Sequence, residues 1–337
     1  MHVALLGLGA AGSHVARQLT QLPISRLSLH DIDRQRQRRV ASAITAAVGD
    51  DIDISSERPT ASDPPDVVIL ATPSGRHPRL AESWIRAGSH VVSITDDPDD
   101  VAGLLELAPL AEHNQRRLVV GAGFAPGLSC LLASYAASQL DSVDAINVYK
   151  AGTGGPNCAR QHHRALKQTG SEWIDGKWVV RRGGSGRELA WFPDPFGARD
   201  CYRGALPSPM LLQPVFPAAQ RISARMAATR RDRLTSWLPM MRPPHSDGGP
   251  GAIRVEVRGQ RDGAIETVIL GVMDHPSVAA GTVTAVATAA VIAEQAPIGA
   301  GGLATWSNPK AVLTELYRRG VRVASFNGVL AAIAAEE

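Results

Sequence analysis

The sequence predicts an α/β protein in two parts: a doubly wound parallel sheet first, then a second α+β domain built on a mixed or antiparallel sheet. Three observations carry this. Short apolar runs alternate with stretches of helical spacing up to about Phe124, the β-α-β rhythm of a parallel sheet. A glycine-rich loop joins the first apolar run to the first helical stretch. Beyond Phe124 the rhythm gives way to glycine-rich segments, short strands and a hairpin.

The elements follow in order. His2–Gly7 is a strand, and Ala10–Leu22 has helical spacing with a stop at Pro23. Arg26–His30 is the next strand, and Arg34–Val48 a helix that Gly49 ends. Asp66–Leu70 (DVVIL) has the continuous apolar character of a strand buried on both faces. A helix over Pro78–Ala87, a strand at His90–Ile94, a helix over Pro98–Asn114 and a strand at Leu118–Val120 complete the first part. The second part opens with a helix over Pro126–Leu140 and a strand at Val143–Lys150. Short strands are expected near Lys177–Arg181 and Glu188–Phe192, then helical spacing across Met210–Trp237. After the Pro- and Gly-rich stretch Leu238–Gly251, two alternating runs, Ile253–Arg258 and Ala264–Leu270, flank turn residues and predict a hairpin. Helices at Ser277–Gln295 and Asn308–Arg318 close the chain. The expected domains are therefore 1–124 and 125–337, with the last helices packing back on the first domain.

Composition narrows the function classes. A net charge of +3 on 337 residues gives no basic surface of the kind nucleic acid requires. The three cysteines, Cys130, Cys158 and Cys201, form no C-x-x-C pair, which argues against structural zinc and a disulfide framework and suits free thiols in a reducing cytoplasm. The N-terminal apolar run lacks a basic flank and is broken by glycines, unlike a signal peptide, and Ser277–Ala293 is too weakly apolar for a membrane span. A soluble protein with neither metal nor nucleic-acid partner is expected.

The loop G-L-G-A-A-G, Gly7 to Gly12, follows a predicted strand and opens a predicted helix. In that setting it is the dinucleotide fingerprint of a Rossmann domain. Gly7 permits the tight turn, Gly9 lets the pyrophosphate approach the backbone, and Gly12 lets helix and strand pack closely. Ala10 and Ala11 place helix N–H groups at the phosphates. Asp31 lies 19 residues beyond Gly12, where a carboxylate meets the adenosine ribose, and this favours NAD. Ile32, Asp33 and Arg34 border the same site, and the arginines of the run Asp33–Arg39 leave NADP open, either as partners of a 2′-phosphate or as a solvated helix face. Strand ends facing the nicotinamide carry Ala71, Thr72 and Pro73, then Thr95 and Asp97, and then the loop G-A-G-F-A-P-G with Gly123, Phe124 and Pro126. Asp97, just before Pro98, reads equally as an acid–base group and as a helix N-cap.

Several of these stretches together resemble the saccharopine dehydrogenase-like superfamily, which includes saccharopine reductases, lysine 6-dehydrogenase and homospermidine synthases. They are G-L-G-A-A-G with Asp31, D-V-V-I-L-A-T-P, G-A-G-F-A-P-G-L-S, the turn Y-K-A-G-T-G-G-P (Tyr149 to Pro156) and W-F-P-D-P-F-G. The resemblance implies hydride transfer at a carbon–nitrogen centre of an amino acid, amine or imine, as in amino-acid metabolism or imine reduction. It also implies a homodimer formed through the exposed sheet face that includes Ile253–Leu270. Alternatives are a homospermidine-synthase-like transferase that recycles its NAD internally, and a non-catalytic dinucleotide-binding sensor.

Such chemistry needs a proton carrier, and a carboxylated substrate needs a cation. The stretch Cys158–Lys167 concentrates both just after the glycine turn. His162 or His163 is the candidate acid–base group, and Arg160 or Arg164, one helical turn apart, the candidate carboxylate partner. Lys150, at a predicted strand end, is a second candidate base or a structural ion pair, and Phe124, Gly154 and Gly155 are candidate substrate contacts.

Overall fold

The computed structural model describes residues 1–240 and 243–326. The chain divides into two compact units, Met1–Gly127 with Ser277–Leu303, and Leu128–Pro276 with the chain from Ala304 onward.

The first unit runs β1 (His2–Leu6), α1 (Ala10–Leu19), β2 (Arg26–His30), α2 (Arg34–Val48), β3 (Asp53–Ser55), β4 (Val67–Leu70), α3 (His77–Arg86), β5 (His90–Ser93), α4 (Pro98–Leu105), α5 (Ala108–His113) and β6 (Arg117–Val119). The second contains α6 (Leu128–Ala137), β7 (Ser142–Ala151), α7 (Pro156–Ala165), β8 (Gly170–Ile174), β9 (Lys177–Arg181), β10 (Glu188–Phe192), β11 (Gly197–Tyr202), α8 (Ser208–Leu212), β12 (Arg221–Ala227), α9 (Arg230–Thr235), β13 (Gly251–Arg261) and β14 (Ala264–Asp274). Helix α10 (Pro276–Ile292) and β15 (Gly299–Gly301) return to the first unit, while α11 (Pro309–Arg318) and β16 (Val323–Ser325) belong to the second.

The first sheet is parallel throughout, in the order β15-β6-β5-β4-β1-β2-β3. Val67, Val68, Ile69 and Leu70 are buried, as a strand covered on both faces requires. Strand order reverses between β1 and β4, and the crevice beyond their carboxyl ends is where such sheets bind ligands.

The second sheet is mixed, in the order β10-β11-β12-β7-β13-β14-β16, with β8 and β9 beside β12. Strands β7 and β12 are parallel, and the other pairs are antiparallel. Ile146, Val148, Val255, Val257, Val268 and Leu270 form a buried face, and α6 packs on β7, β13 and β14. Each such aliphatic side chain contributes about 1.5–3 kcal/mol by burial. Across the sheet, Tyr149, Ala151 and Ala252 pack with Ala190, Phe192 and Cys201 of the β10–β11 hairpin.

Three local differences from the sequence reading have physical causes. Pro98–Asn114 forms two helices, because Pro109 sits in the first turn of α5, where a missing N–H is harmless. Helix α6 starts at Leu128 because Gly127 has φ +112°, outside helical space. The helical spacing across Met210–Trp237 is overturned at its centre: Arg221–Ala227 is the strand β12, held between β7 and β11. Its arginines, alanines and methionine favour helix locally, but burial of Ile222 to Met226 on both faces of the sheet decides for strand.

Candidate functional site

The β1–α1 loop lies at the strand-order reversal. Gly7 has φ +98°, and a Cβ there would strike the Ala71 carbonyl. A Cβ on Gly12 would strike the Gly7 carbonyl, so these two glycines are demanded by the fold itself. Gly9 is different. Its φ is −66°, and no atom lies within 4 Å of where its Cβ would be. Nothing in the protein requires glycine there; the open space at the N-terminus of α1, which no side chain caps, suits a pyrophosphate against the backbone.

Asp31, 6% exposed, accepts the Leu8 N–H (2.7 Å) on Oδ2 and the Asp33 N–H (2.8 Å) on Oδ1. The loop and the β2 end are thus held to one another by the carboxylate. Asp33 caps α2 by accepting the Arg36 N–H, which holds its carboxyl below the ordinary range. Arg36 bridges Asp31 (3.5 Å) and Asp33 (3.2 Å), and Arg34 reaches Gln37 (3.4 Å). Ile32, 94% exposed, presents an apolar surface beside this acid, of the kind an adenine ring covers.

The loops after β4 and β5 are fastened by two buried groups that the sequence reading passed over. His77 is fully buried; Nε2 lies 3.0 Å from the Thr72 carbonyl and therefore donates, so Nδ1 accepts from Ser93 Oγ at 2.8 Å. Burial lowers its pKa, which keeps the ring neutral. Asp100 accepts the Gly75 N–H (2.8 Å) and the Thr95 hydroxyl (3.2 Å). Ala71, Thr72, Pro73 and Thr95 are thereby set on one edge of the sheet, with Pro73 exposed and Thr95 buried. Asp97 is the N-cap of α4, accepting from the Asp99 and Asp100 N–H groups. Gly123, Phe124 and Pro126 are buried, and Gly127 closes their loop because a Cβ there would strike Gly121 and Gly123.

In the second unit, Gly155 caps α7 with φ +108°, and Gly154 precedes it. Helix α7 carries three stripes of different character. Arg160 and Arg164 are exposed, and Arg160 donates to Asn157. His162 and His163 each meet a backbone carbonyl through Nε2, of Ala227 (3.1 Å) and Leu238 (2.8 Å) respectively. Gln161 and Ala165 are buried.

A ring nitrogen facing a carbonyl must carry the proton, so Nδ1 of His162 is a bare acceptor. Burial, and then the charge of the buried Lys150, push the His162 pKa down to about 3. At neutral pH this ring stands neutral, with Nδ1 open to accept a hydrogen bond. The structure therefore places His162 with Lys150, and places Arg160 and Arg164 on a separate, solvated stripe.

Deeper in the same unit, Arg225 and Glu172 are 1% and 3% exposed. Arg203 pairs with Glu172 (2.8 Å), Arg225 pairs with Glu188 (2.7 Å), and Tyr149 donates to Glu188 (2.9 Å). Burial and the neighbouring carboxylates raise the Tyr149 pKa, and burial pushes the Cys201 thiol up to about 12. Among the described residues, no group of three or more His, Cys, Asp or Glu is placed to hold a metal ion, and no helix is long and apolar enough to cross a membrane.

Comparison with known proteins agrees with the loop geometry. Residues 1–124 match the oxidoreductase family with an NAD-binding Rossmann fold, GFO_IDH_MocA. The structure is similar to apo saccharopine dehydrogenase (L-Glu forming) from Saccharomyces cerevisiae at TM-score 0.69 and 15% identity, over 96% of this chain and 99% of that one. Weaker likenesses include C. glutamicum DAP dehydrogenase in complex with DAP (TM-score 0.49, 14% identity, 95% and 99% covered) and GenD2 from gentamicin A biosynthesis in complex with NAD (0.45, 16%, 97% and 96%). The chain has the saccharopine dehydrogenase-like fold, and it is an NAD-binding oxidoreductase.

Proposed function

We propose that the protein transfers hydride between NAD and a carbon–nitrogen centre of an amino acid, an amine or a derived imine. The observation that carries this reading is the likeness to saccharopine dehydrogenase across nearly the whole of both chains. The residues of each unit support it separately. Gly7, Gly9, Gly12, Asp31 and Ile32 would hold the dinucleotide, which supplies the hydride chemistry when bound. Asp31 already engages backbone N–H groups and Arg36, so its site favours ribose hydroxyls over a 2′-phosphate. In the second unit, His162 offers a fixed acceptor to an N–H, and Lys150 beside it is the group we assign to carry the proton to and from nitrogen.

The test is turnover of the purified chain, followed by NADH absorbance. It is given NAD with amino acids and amines, and NADH with keto acid–amine pairs. We expect turnover with C–N substrates and weak turnover with alcohols. Turnover confined to alcohols or sugars overturns the reading. We also place the protein in the cytoplasm, on its three cysteines held as thiols rather than in disulfides. We further propose a homodimer through the outward face of β13 and β14, where Ile265 and Met273 are exposed. A monomer by light scattering at micromolar concentration would sink that proposal.

A further inference from the structure

Two neighbouring residues of α7 hold three buried polar atoms without a protein partner: Gln161 Nε2, Gln161 Oε1 and His162 Nδ1. No other pair of neighbouring described residues holds three. Gln161 is 4% exposed, and neither end of its amide is satisfied. Buried polar groups in native proteins are almost always paired, and a buried amide with nothing to bind is costly, so a residue kept in this state needs a reason. A packing role is a poor one, since Leu or Met would fill the same volume without the desolvation cost.

The chemistry of the missing partner can be read from the atoms. Nδ1 of His162 is an acceptor, because Nε2 donates to the Ala227 carbonyl. The Gln161 amide adds one acceptor and one donor group. The set therefore wants a group with N–H or O–H hydrogens next to an oxygen that accepts. The Lys150 charge that bears on His162 disfavours a second cation there, so the donor is an uncharged one. An amine from which hydride is to leave is uncharged, and its adjacent carboxylate supplies the accepting oxygen.

Building on the proposed function, we propose that Gln161 and His162 form the receptor for the amine of an amino-acid substrate. The substrate N–H groups donate to His162 Nδ1 and Gln161 Oε1, and Gln161 Nε2 donates to the substrate carboxylate. Both residues are substrate-binding groups; neither gives up nor takes the proton.

The experiment measures binding rather than turnover. The NADH-loaded protein is titrated by calorimetry with the proteinogenic amino acids and with their 2-hydroxy and 2-oxo counterparts. The wild type, Gln161→Leu and Gln161→Met are compared. The proposal expects amino acids to bind the wild type, and both variants to bind the same amino acid roughly tenfold or more weakly. It also expects unchanged or higher melting temperatures for ligand-free variants, since each removes an unpaired buried amide. Equal amino-acid binding by wild type and both variants overturns the role of Gln161 and leaves the oxidoreductase reading standing. Binding of hydroxy acids alone overturns the amine class, and the reading under it as well. If Gln161→Leu fails to fold, Gln161→Met, with an unbranched side chain of similar length, carries the comparison.

Discussion

The loop at the head of α1 and the turn at the head of α7 look alike in sequence. Both follow a strand that has a parallel partner, both end in a glycine cap, and both open a ten-residue helix. They work differently. At α1 the surface proposed for the cofactor is backbone, and the side chains that matter are mostly missing ones. At α7 the proposed receptor is made of side chains, with the Gln161 amide and His162 Nδ1 left unpaired by the protein. A cofactor shared by many enzymes can be held by main-chain N–H groups and a helix dipole, whereas one enzyme's substrate needs particular side chains.

The second unit shows the contrast within itself, because its buried Arg225 and Glu172 are charged and lie in an ion-pair network with Arg203 and Glu188. Glu172→Ala would leave Arg225 and Arg203 without their shared carboxylate, and we expect a loss of about 3–5 kcal/mol in urea unfolding. A loss below about 1 kcal/mol would mean the network is not what orders this region.

Gly9→Val tests the backbone surface from the other side. With open space around the Cβ position, stability should change by no more than about 0.5 kcal/mol, while NADH affinity by fluorescence falls roughly tenfold or more. Unchanged affinity would remove the pyrophosphate from this loop.

Acid titration separates the units. His90 accepts the Arg117 N–H through Nδ1, and burial first, then nearby arginines, lower its pKa to about 4. The folded state therefore binds fewer protons than the unfolded state between about pH 4 and the ordinary value of 6.5. This contribution to stability is complete above pH 6.5 and is lost as pH falls toward 4, by about 1–2 kcal/mol after allowance for solvent access. His162 acts in the same direction down to about pH 3. His90→Asn should flatten the melting profile of the first unit over that window, and an unaltered profile would count against the burial argument.

The smallest effect is expected at the exposed stripe of α7. Arg160→Ala with Arg164→Ala should shift stability by less than about 0.5 kcal/mol. A tenfold rise in substrate KM in that variant would move carboxylate recognition from Gln161 to the arginines and erase the contrast drawn above.

Much of the first unit was legible in the sequence because its constraints are local. Gly7 and Asp31 sit at fixed offsets from a strand end, and apolar runs such as Val67–Leu70 announce burial without reference to the rest of the chain. His77 was missed because Ser93, its Nδ1 partner, comes beside it only through the parallel pairing of β4 and β5. Strand β12 was missed because its neighbours lie far away in sequence, and helix-favouring residues gave no local sign of them.

By itself the sequence determined the alternation of elements in the first unit and the place of the glycine loop and the acid beside it, since backbone geometry and strand periodicity are written over short spans. It also marked Cys158–Lys167 as chemically dense, without distinguishing its faces. Only the tertiary structure decided which side of α7 is buried, that His162 is a neutral acceptor fixed by Ala227, and that Gln161 has no partner. Burial and hydrogen-bond satisfaction depend on residues brought together across the fold, and they decide what a polar side chain is able to do.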